Sequence, residues 1–465
     1  QTFPMREASK SSLYKRDVIP AAIALIRSIL RDFPLAKSQA RPLDYSSVSV
    51  KGRLRPSMKQ KHREIFWQYD TSAQVMRKLR AADSRPGVRE QINGFQVHLY
   101  GGKYEPRLRG EPGEFIAMKQ GAVCRATKDG AGWIRQMKCL DHPQLPMLKL
   151  PASLVLRQVM AKADFPALTI IPDSQRDVAD DVRVEQKGSV AYLHFDFYNG
   201  AMNTEQCMTL RARLMDVKRS EGVNTIVMMG GQDFFSNGIH LNCIEASANP
   251  AAESWRNINA MNDVVFELLN SPNHMTVAAL RNNAGAGGAI LALACDEVIV
   301  REGVVLNPHY RSMGLYGSEY WTHLLPNRVG QDLAQSITDS CQPVLAKEAL
   351  GIGLVDLMFE EDWDGYHERL ATYCARVASN EEFVDFLKMK QAALSKLLKS
   401  GTLDRCRKHE LVKMKAVFDD PKSDYHQCRR NFVYKAKKDE RQKVLKLGNG
   451  GITARIKEIL FQRVV

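Results

Sequence analysis

From Ser189 to Val300 the sequence alternates short, nearly all-apolar runs with longer stretches of helical periodicity. That order narrows the possible folds sharply, because parallel strands can be joined only by a crossover, and the crossover is usually a helix. VAYLHFDF reads as the first strand, and Asn203 and Gln206 then stand at capping-box spacing at the head of a helix that runs to Arg219. TIVMM (Thr225–Met229), a helix near Ala251–Leu269, TVAAL (Thr276–Leu280), a helix after Gly287 and DEVIV (Asp296–Val300) complete the alternation. The expectation is a layered α/β domain.

The flanking segments have other periodicities. Ile23, Ile26, Ile29 and Leu30 follow Pro20 at helical spacing to about Arg31, and a loop through Pro34 and Pro42 comes next. DTSAQVMRKLRAAD opens on a capping run and sets Val75, Met76 and Leu79 on one face of a second helix. FQVHLY (Phe95–Tyr100), GEFIAM (Gly113–Met118), AVCRAT (Ala122–Thr127) and WIRQMK (Trp133–Lys138) read as short strands between Gly, Asp and Lys turns, which predicts a small antiparallel barrel. The proline-rich 141–180 segment reads as a connector. Beyond Glu381 the pattern is helical and Lys-rich to about Phe418, and a basic tail is expected after Tyr425.

Charge follows the same divisions. The balance is +15 over residues 1–150, −11 over 151–380 and +10 over 381–465, within an overall +14. Solvated lysines account for the basic parts more simply than nucleic acid does. Nine scattered cysteines without a CxxC pair give neither a disulfide framework nor a zinc site, so no metal is expected and a reducing, cytoplasmic setting fits. The longest strongly apolar run, Gly287–Cys295, falls far short of the about 20 residues of a membrane span. The first residue is Gln, and the expectation is a chain that begins partway through a longer protein.

Two glycine-bearing turns stand at strand ends: FFSNGIHLN (Phe234–Asn242) and NNAGAGGAIL (Asn282–Leu291). Each leaves backbone N–H groups free, and two that converge form an oxyanion hole, where the loss of one donor costs about 3 kcal/mol of transition-state stabilisation. GAGGAI lacks the GxGxxG spacing of a dinucleotide fold and the GK[ST] of a P-loop. Close helix packing is the competing reason for Gly285, Gly287 and Gly288.

VAALRNNAGAGGAILALACDEVIV and FFSNGIHLN resemble the two oxyanion segments of the crotonase (enoyl-CoA hydratase/isomerase) superfamily, and QPVLAKEALGIGLVD resembles that family's later helix-turn. The resemblance implies oxyanion N–H groups on Ile239 and Gly287. It also implies a coenzyme A cradle from Tyr198, Gly200, Ala201 and Met202 with Ser236, Asn237 and Gly238. At the two glutamate positions of the hydratases this chain has Ile290 and, approximately, His309. Hydration needs a placed acid/base pair, so hydratase chemistry is expected to be lost.

NPHYRSMGLYGSEYWTHLLPNRVG (Asn307–Gly330), with TFPMREASKSSLYKRDVIPAA, GRLRPSMKQKHREIFW and DYHQCRRNFVYK, resembles the HypX (HoxX) family of hydrogenase-maturation proteins up to about Lys435. That resemblance implies the fold class: α/β, with a formyltransferase C-terminal (OB-like) barrel, then a crotonase-like domain and a helical C-terminal extension. The implied divisions are a remnant of a formyltransferase catalytic domain (1–45), the barrel (46–145), a linker (146–185), the crotonase domain (186–380) and a basic extension (381–465). The implied reaction is the splitting of formyl-CoA, a small acyl-CoA, into carbon monoxide and coenzyme A, with hydrogenase-maturation proteins as partners. Tetrahydrofolate belongs to it only if the folate-binding N-terminal part is present. Formyl-CoA lysis needs a carboxylate base and a phenol, and Glu319 and Tyr310 are the candidates, with Tyr316 a weaker one. Rival roles stand beside them: Ser318-Glu319 as a helix opening, Tyr310 as a core tyrosine, and His309 and His240 as structural histidines. A different crotonase acting on another acyl-CoA and a non-catalytic basic scaffold that binds RNA or a protein partner are the alternative functions.

Overall fold

The computed structural model describes residues 3, 5–33, 42–50, 52, 54–160, 169–170 and 180–436. The chain divides into two compact units, Gln1–Ala179 and Asp180–Val465. Residues 34–41, in the loop through Pro34, and residues 437–465 lie outside the described residues.

In the first unit the predicted helices are Ile19–Arg31 and Ser72–Ala82, the latter headed by a Thr71/Gln74 capping box. Its sheet contains β1 (Val88–Ile92), β2 (Phe95–Glu105), β3 (Phe115–Lys119), β4 (Ala122–Ala126), β5 (Ala131–Cys139), β6 (Leu150–Pro151) and β7 (Thr169–Ile170). The order is β1-β2-β5-β4-β3-β7 with β6 on β5, antiparallel except for β7 on β3. The four expected strands are all present; β1 was not legible, because VREQI carries only two apolar residues at its ends. Glu105 is buried inside this sheet, and its carboxylate is fully used: it accepts the Trp133 indole N–H at 2.7 Å and the backbone N–H groups of Arg107 and Leu108 at 2.7 and 3.2 Å. The segment expected as a linker is partly ordered structure, since the Ala152–Val159 helix buries Ala152, Val155, Leu156 and Val159 in this unit. The described part of the linker thus includes this core helix, the short β7 and, at its end, the first residues of a strand, Val182–Lys187.

The second unit is built on β8 (Val182–Lys187), β9 (Val190–Phe195), β10 (Thr225–Gly230), β11 (Met275–Leu280), β13 (Glu297–Arg301) and β16 (Leu357–Phe359), in the order β16-β13-β11-β10-β9-β8. All pairs are parallel except the β8–β9 hairpin. The central strands β9, β10 and β11 are buried at every residue, which is why they read as continuous apolar runs. Alternate residues serve different layers. Leu193, Ile226, Met228, Ala278 and Val298 face a core with the Thr204–Arg219, Pro250–Leu269 and Gly287–Leu293 helices. Tyr192, Val227, Val277 and Ile299 face the Trp363–Ala378 helix through Tyr366, Leu370 and Cys374. A small third sheet, β12 (Ala284–Gly285), β14 (Val305–Asn307) and β15 (Val344–Leu345), lies in the order β12-β14-β15.

The described residues after 380, to 436, do not form a separate body. Leu403, Met414, Phe418 and Tyr425, from the Thr402–Asp419 and Asp424–Tyr434 helices, belong to the same core as Leu193 and Met228. The tail expected after Tyr425 begins instead as helix, anchored by buried Arg429, which donates to Glu245 at 2.7 Å. Lysines on the outer faces hid the apolar stripe that these helices turn inward. Among the described residues no helix is long and apolar enough to cross a membrane. Phe418→Ala should lower stability by about 3 to 5 kcal/mol in urea denaturation followed by the second unit's signal, whereas a detachable extension would show almost no change.

Candidate active site

The carboxyl ends of the parallel strands carry the loops that assemble the site, the usual place in an open α/β sheet. After β9 the chain makes a turn through Tyr198–Gly200, with Asn199 and Gly200 at positive φ. Asn237 ties this turn to the segment after β10: its N–H donates to the Gly200 carbonyl and its Nδ2 to the Asn199 carbonyl, both at 2.7 Å. The Met202 N–H donates to the Gly238 carbonyl at 2.8 Å. The Ser236 carbonyl accepts the Gly285 N–H at 2.8 Å, and the Asn307 carbonyl accepts the Ala286 N–H at 2.8 Å. Four loops distant in sequence are thereby laced side by side. Asn257, buried on the Pro250–Leu269 helix, seals the lacing by donating to the Met202 carbonyl at 3.0 Å and accepting the His240 N–H at 3.1 Å.

Ile239 and Gly287 follow directly from these loops. Among the described residues neither backbone N–H has a hydrogen-bond partner, as expected for a first-turn helix residue such as Gly287. The two turns abut: a Cβ built on Gly238 would lie 3.1 Å from the Gly287 nitrogen. The glycines of this run divide the work. A Cβ on Gly288 would come within 2.5 Å of the Ser236 carbonyl carbon, so Gly288 is there for packing. A Cβ on Gly287 would meet the Glu319 carboxylate, with Cδ at 2.6 Å.

Glu319 is thus brought against the glycine turn, and Tyr310 with it. The Tyr310 hydroxyl donates to Glu319 Oε2 at 2.7 Å, and both side chains are buried. Burial pushes the Glu319 carboxyl up to about 7; the Tyr310 hydrogen bond opposes the shift and the nearby Glu410 carboxylate adds to it. Burial, and then the negative charge of Glu319, hold the Tyr310 hydroxyl well above its ordinary value, so it is a neutral donor.

The helix-opening role of Ser318-Glu319 is not what the structure has. The helix is Trp321–Val329, and Glu319 and Tyr320 precede it at φ 65° and 61°. The orphan N–H groups of Tyr320 and Thr322 donate to Glu410, each at 2.9 Å. Ser318 and Glu319 instead turn inward to Asn262, whose Oδ1 accepts the Ser318 hydroxyl and the Glu319 N–H, both at 2.7 Å. His240 caps the Leu241–Glu245 helix through Nδ1, and burial lowers it to about 4, which suits a structural role. The His309 ring is tied through Nδ1 to the Asn307 carbonyl at 2.8 Å. Tyr316 pairs with His409 at 3.0 Å, apart from the Glu319–Tyr310 bond. Ile290 lies in the apolar core. Among the described residues no cluster of ligands suits a metal ion.

Comparison with known proteins agrees with this architecture. Residues 185–441 match the enoyl-CoA hydratase/isomerase family, and residues 57–154 match the formyl transferase C-terminal domain. The hydrogenase maturation factor HoxX of Bradyrhizobium diazoefficiens is 36% identical over 443 residues, covering 94% of this chain and 75% of its own length. The chain belongs to the HypX/HoxX family. The crystal structure of HypX from Aquifex aeolicus in complex with tetrahydrofolic acid superposes with a TM-score of 0.85 at 37% identity, covering 94% of this chain and 76% of that one. A putative enoyl-CoA hydratase of Thermus thermophilus is 31% identical over 178 residues, 38% of this chain and 69% of its own. The HypX/HoxX relatives thus span both units, whereas the hydratase relative matches a much shorter stretch of the chain.

The buried carboxyl makes stability depend on pH. The folded state holds the Glu319 proton more tightly than the unfolded chain, whose carboxyl has the ordinary value of 4.5. Its contribution is fully present below that value and is lost as pH rises through about 7. The melting temperature should therefore fall between these limits, and Glu319→Gln should flatten part of that fall; equal slopes in parent and variant would count against a displaced Glu319.

Proposed function

We propose that the crotonase-like unit splits formyl-CoA into carbon monoxide and coenzyme A. The observation that carries this reading is the buried Glu319–Tyr310 pair lying against Gly287. The adjoining loops would hold coenzyme A through the backbone of Tyr198, Gly200, Ala201 and Met202 and of Ser236, Asn237 and Gly238. The partnerless Ile239 and Gly287 N–H groups suit a thioester oxygen. By drawing electron density from the carbonyl carbon they make the formyl C–H more acidic. Glu319, as carboxylate, takes the formyl proton. The C–H electron pair becomes the carbon lone pair of CO as the C–S bond breaks and its electrons leave on sulfur. The proton then passes from Glu319 to the thiolate, so the products are CO and the free thiol, with no net proton consumed. Tyr310 orients the carboxylate and steadies its charge through one hydrogen bond. A carboxyl that titrates near neutrality suits an acceptor that must also return the proton.

The reading extends to hydrogenase maturation, with CO as the product delivered to maturation partners in the cytoplasm. Formyl transfer from formyl-tetrahydrofolate is not assigned to the residues of this chain. The absence of a carboxylate at Ile290 argues against hydration of an enoyl thioester.

Glu319→Gln keeps the shape but removes the proton acceptor, so CO release from formyl-CoA, measured with a haem reporter, should fall by ~100-fold or more with little change in folding. Tyr310→Phe should also slow release; two variants with parental CO yield would sink the assignment. Gly287→Asp puts a side chain and a charge where the thioester oxygen and Glu319 meet, so calorimetry with the whole chain should register loss of productive acyl-CoA binding or of turnover. Crotonyl-CoA hydration, followed spectrophotometrically, should be negligible, and ordinary hydratase turnover would favour a generic crotonase instead.

A further inference from the structure

We propose that Asn262 and Glu410 are positioning residues, a clamp from two separate helices that holds the Ser318–Tyr320 turn so that the Glu319 carboxylate stays against Gly287. The proposal rests on the reading of Glu319 as proton acceptor and deepens it.

Glu319 and Tyr320 are consecutive non-glycine residues in the left-handed region, at φ 65° and 61°. L-residues hold that conformation only when their surroundings over-determine it, and such residues gather at functional sites. Here the surroundings are identifiable. On one side, Asn262 Oδ1 accepts the Glu319 N–H and the Ser318 hydroxyl, both at 2.7 Å. On the other, Glu410 Oε2 accepts the Tyr320 N–H at 2.9 Å, while Oε1 accepts the Thr322 N–H at 2.9 Å and its hydroxyl at 2.6 Å. Asn262, Ser318, Glu319 and Glu410 are all buried. Every backbone N–H from Glu319 to Thr322 that the clamp engages is therefore held by a side chain from elsewhere in the fold.

An ordinary helix opening uses a short polar residue beside its own first turn. A glutamate reaching in from a helix 88 residues downstream fixes the approach of the turn as well as its end. The Pro250–Leu269 helix contributes twice, since Asn257 ties down the Met202 and His240 backbone while Asn262 ties down Glu319. One helix thereby sets the spacing between the oxyanion loops and the carboxylate.

The clamp also sets the electrostatics. The groups that face Glu319 are Tyr310 from its own loop, Cys207 from the Thr204–Arg219 helix and Glu410 from the Thr402–Asp419 helix. Arg407, on the same helix as Glu410, is engaged by Asp263 at 2.7 Å. Among the described residues no cation pairs with Glu410. Its ionisation therefore opposes that of Glu319.

The test uses the whole chain, formyl-CoA and a pH series, together with the carboxyl infrared band of Glu319, identified by its loss in Glu319→Gln. Glu410→Gln removes the charge and one of the two acceptors. CO release should drop on the order of 10-fold with KM unchanged, and both the acid limb of the profile and the infrared midpoint should move to lower pH. Asn262→Asp keeps the acceptor oxygen but adds charge, so it should move both midpoints the opposite way and retain turnover at alkaline pH, where Asn262→Leu does not. If one variant fails to fold, the other still reports. Infrared midpoints that stay put in both variants overturn the clamp, whatever happens to CO. Midpoints that move while Glu319→Gln releases CO at the parental rate overturn the proton-acceptor reading, and the positioning role falls with it.

Discussion

Burial of the Glu319 carboxyl against a backbone position that has no side chain is the constraint to which the surrounding structure answers. A carboxylate removed from water is costly unless hydrogen bonds replace its hydration. Glu319 has one charge-assisted bond, from Tyr310, and a second carboxyl in its vicinity. The result is a group poised near neutrality rather than a strong ion pair. Such a group can accept a proton and release it again, which a fully compensated carboxylate does poorly. Gly287 is the other half of this constraint, because any Cβ there would take the space the carboxylate occupies.

The sheet explains why these two residues meet. β9, β10 and β11 run parallel and end together, so their following loops lie in one row. The Ser236–Ala284 bridge and the β12–β14 pairing then carry that row across to Asn307, three residues before Tyr310. The glycines look alike in sequence but differ in what they permit. Gly238 takes a positive φ against the Gly287 nitrogen, Gly288 lets the helix seat on Ser236, and Gly287 leaves room for the carboxylate.

Much of this was legible in the sequence where local chemistry and tertiary role coincide. The apolar strand runs, the Asn203–Gln206 box and the two glycine turns each carry their own signal, and the structure has each where expected. The PHY and GSE segments drew attention to Tyr310 and Glu319, yet the left-handed pair at 319–320 did not, because nothing in SEYW marks positive φ. Ser318-Glu319 therefore mimicked a helix cap. Asn257, Asn262 and Glu410 went unnoticed for a different reason: a polar residue on a helix is usually solvated, and a single one on the inward face looks like an interruption. The faint signal was the stripe Leu403, Glu410, Met414 and Phe418, in which an acid occupies a core position at helical spacing. The antiparallel β8 was missed because VRVEQK has only two apolar residues, of which Val182 is buried and Val184 partly buried against the core.

That stripe changes what the C-terminal helices are for. A lysine-rich helix that merely covered the domain would bury leucines and methionines alone, and a glutamate at position 410 would be an expensive choice. It is tolerated because the Trp321–Val329 helix begins without a polar cap of its own and offers two N–H groups and a hydroxyl to be satisfied. The need and the acid that meets it lie on different elements, so neither is stable in that form without the other. The segment after residue 380 is therefore coupled to the Glu319 turn through hydrogen bonds as well as through the shared core of Met414 and Phe418. A change on its buried face reaches the glycine turn by way of two backbone N–H groups, whereas its lysines are engaged elsewhere, Lys390 with Asp296 and Lys415 with Asp419 and the Trp255 ring.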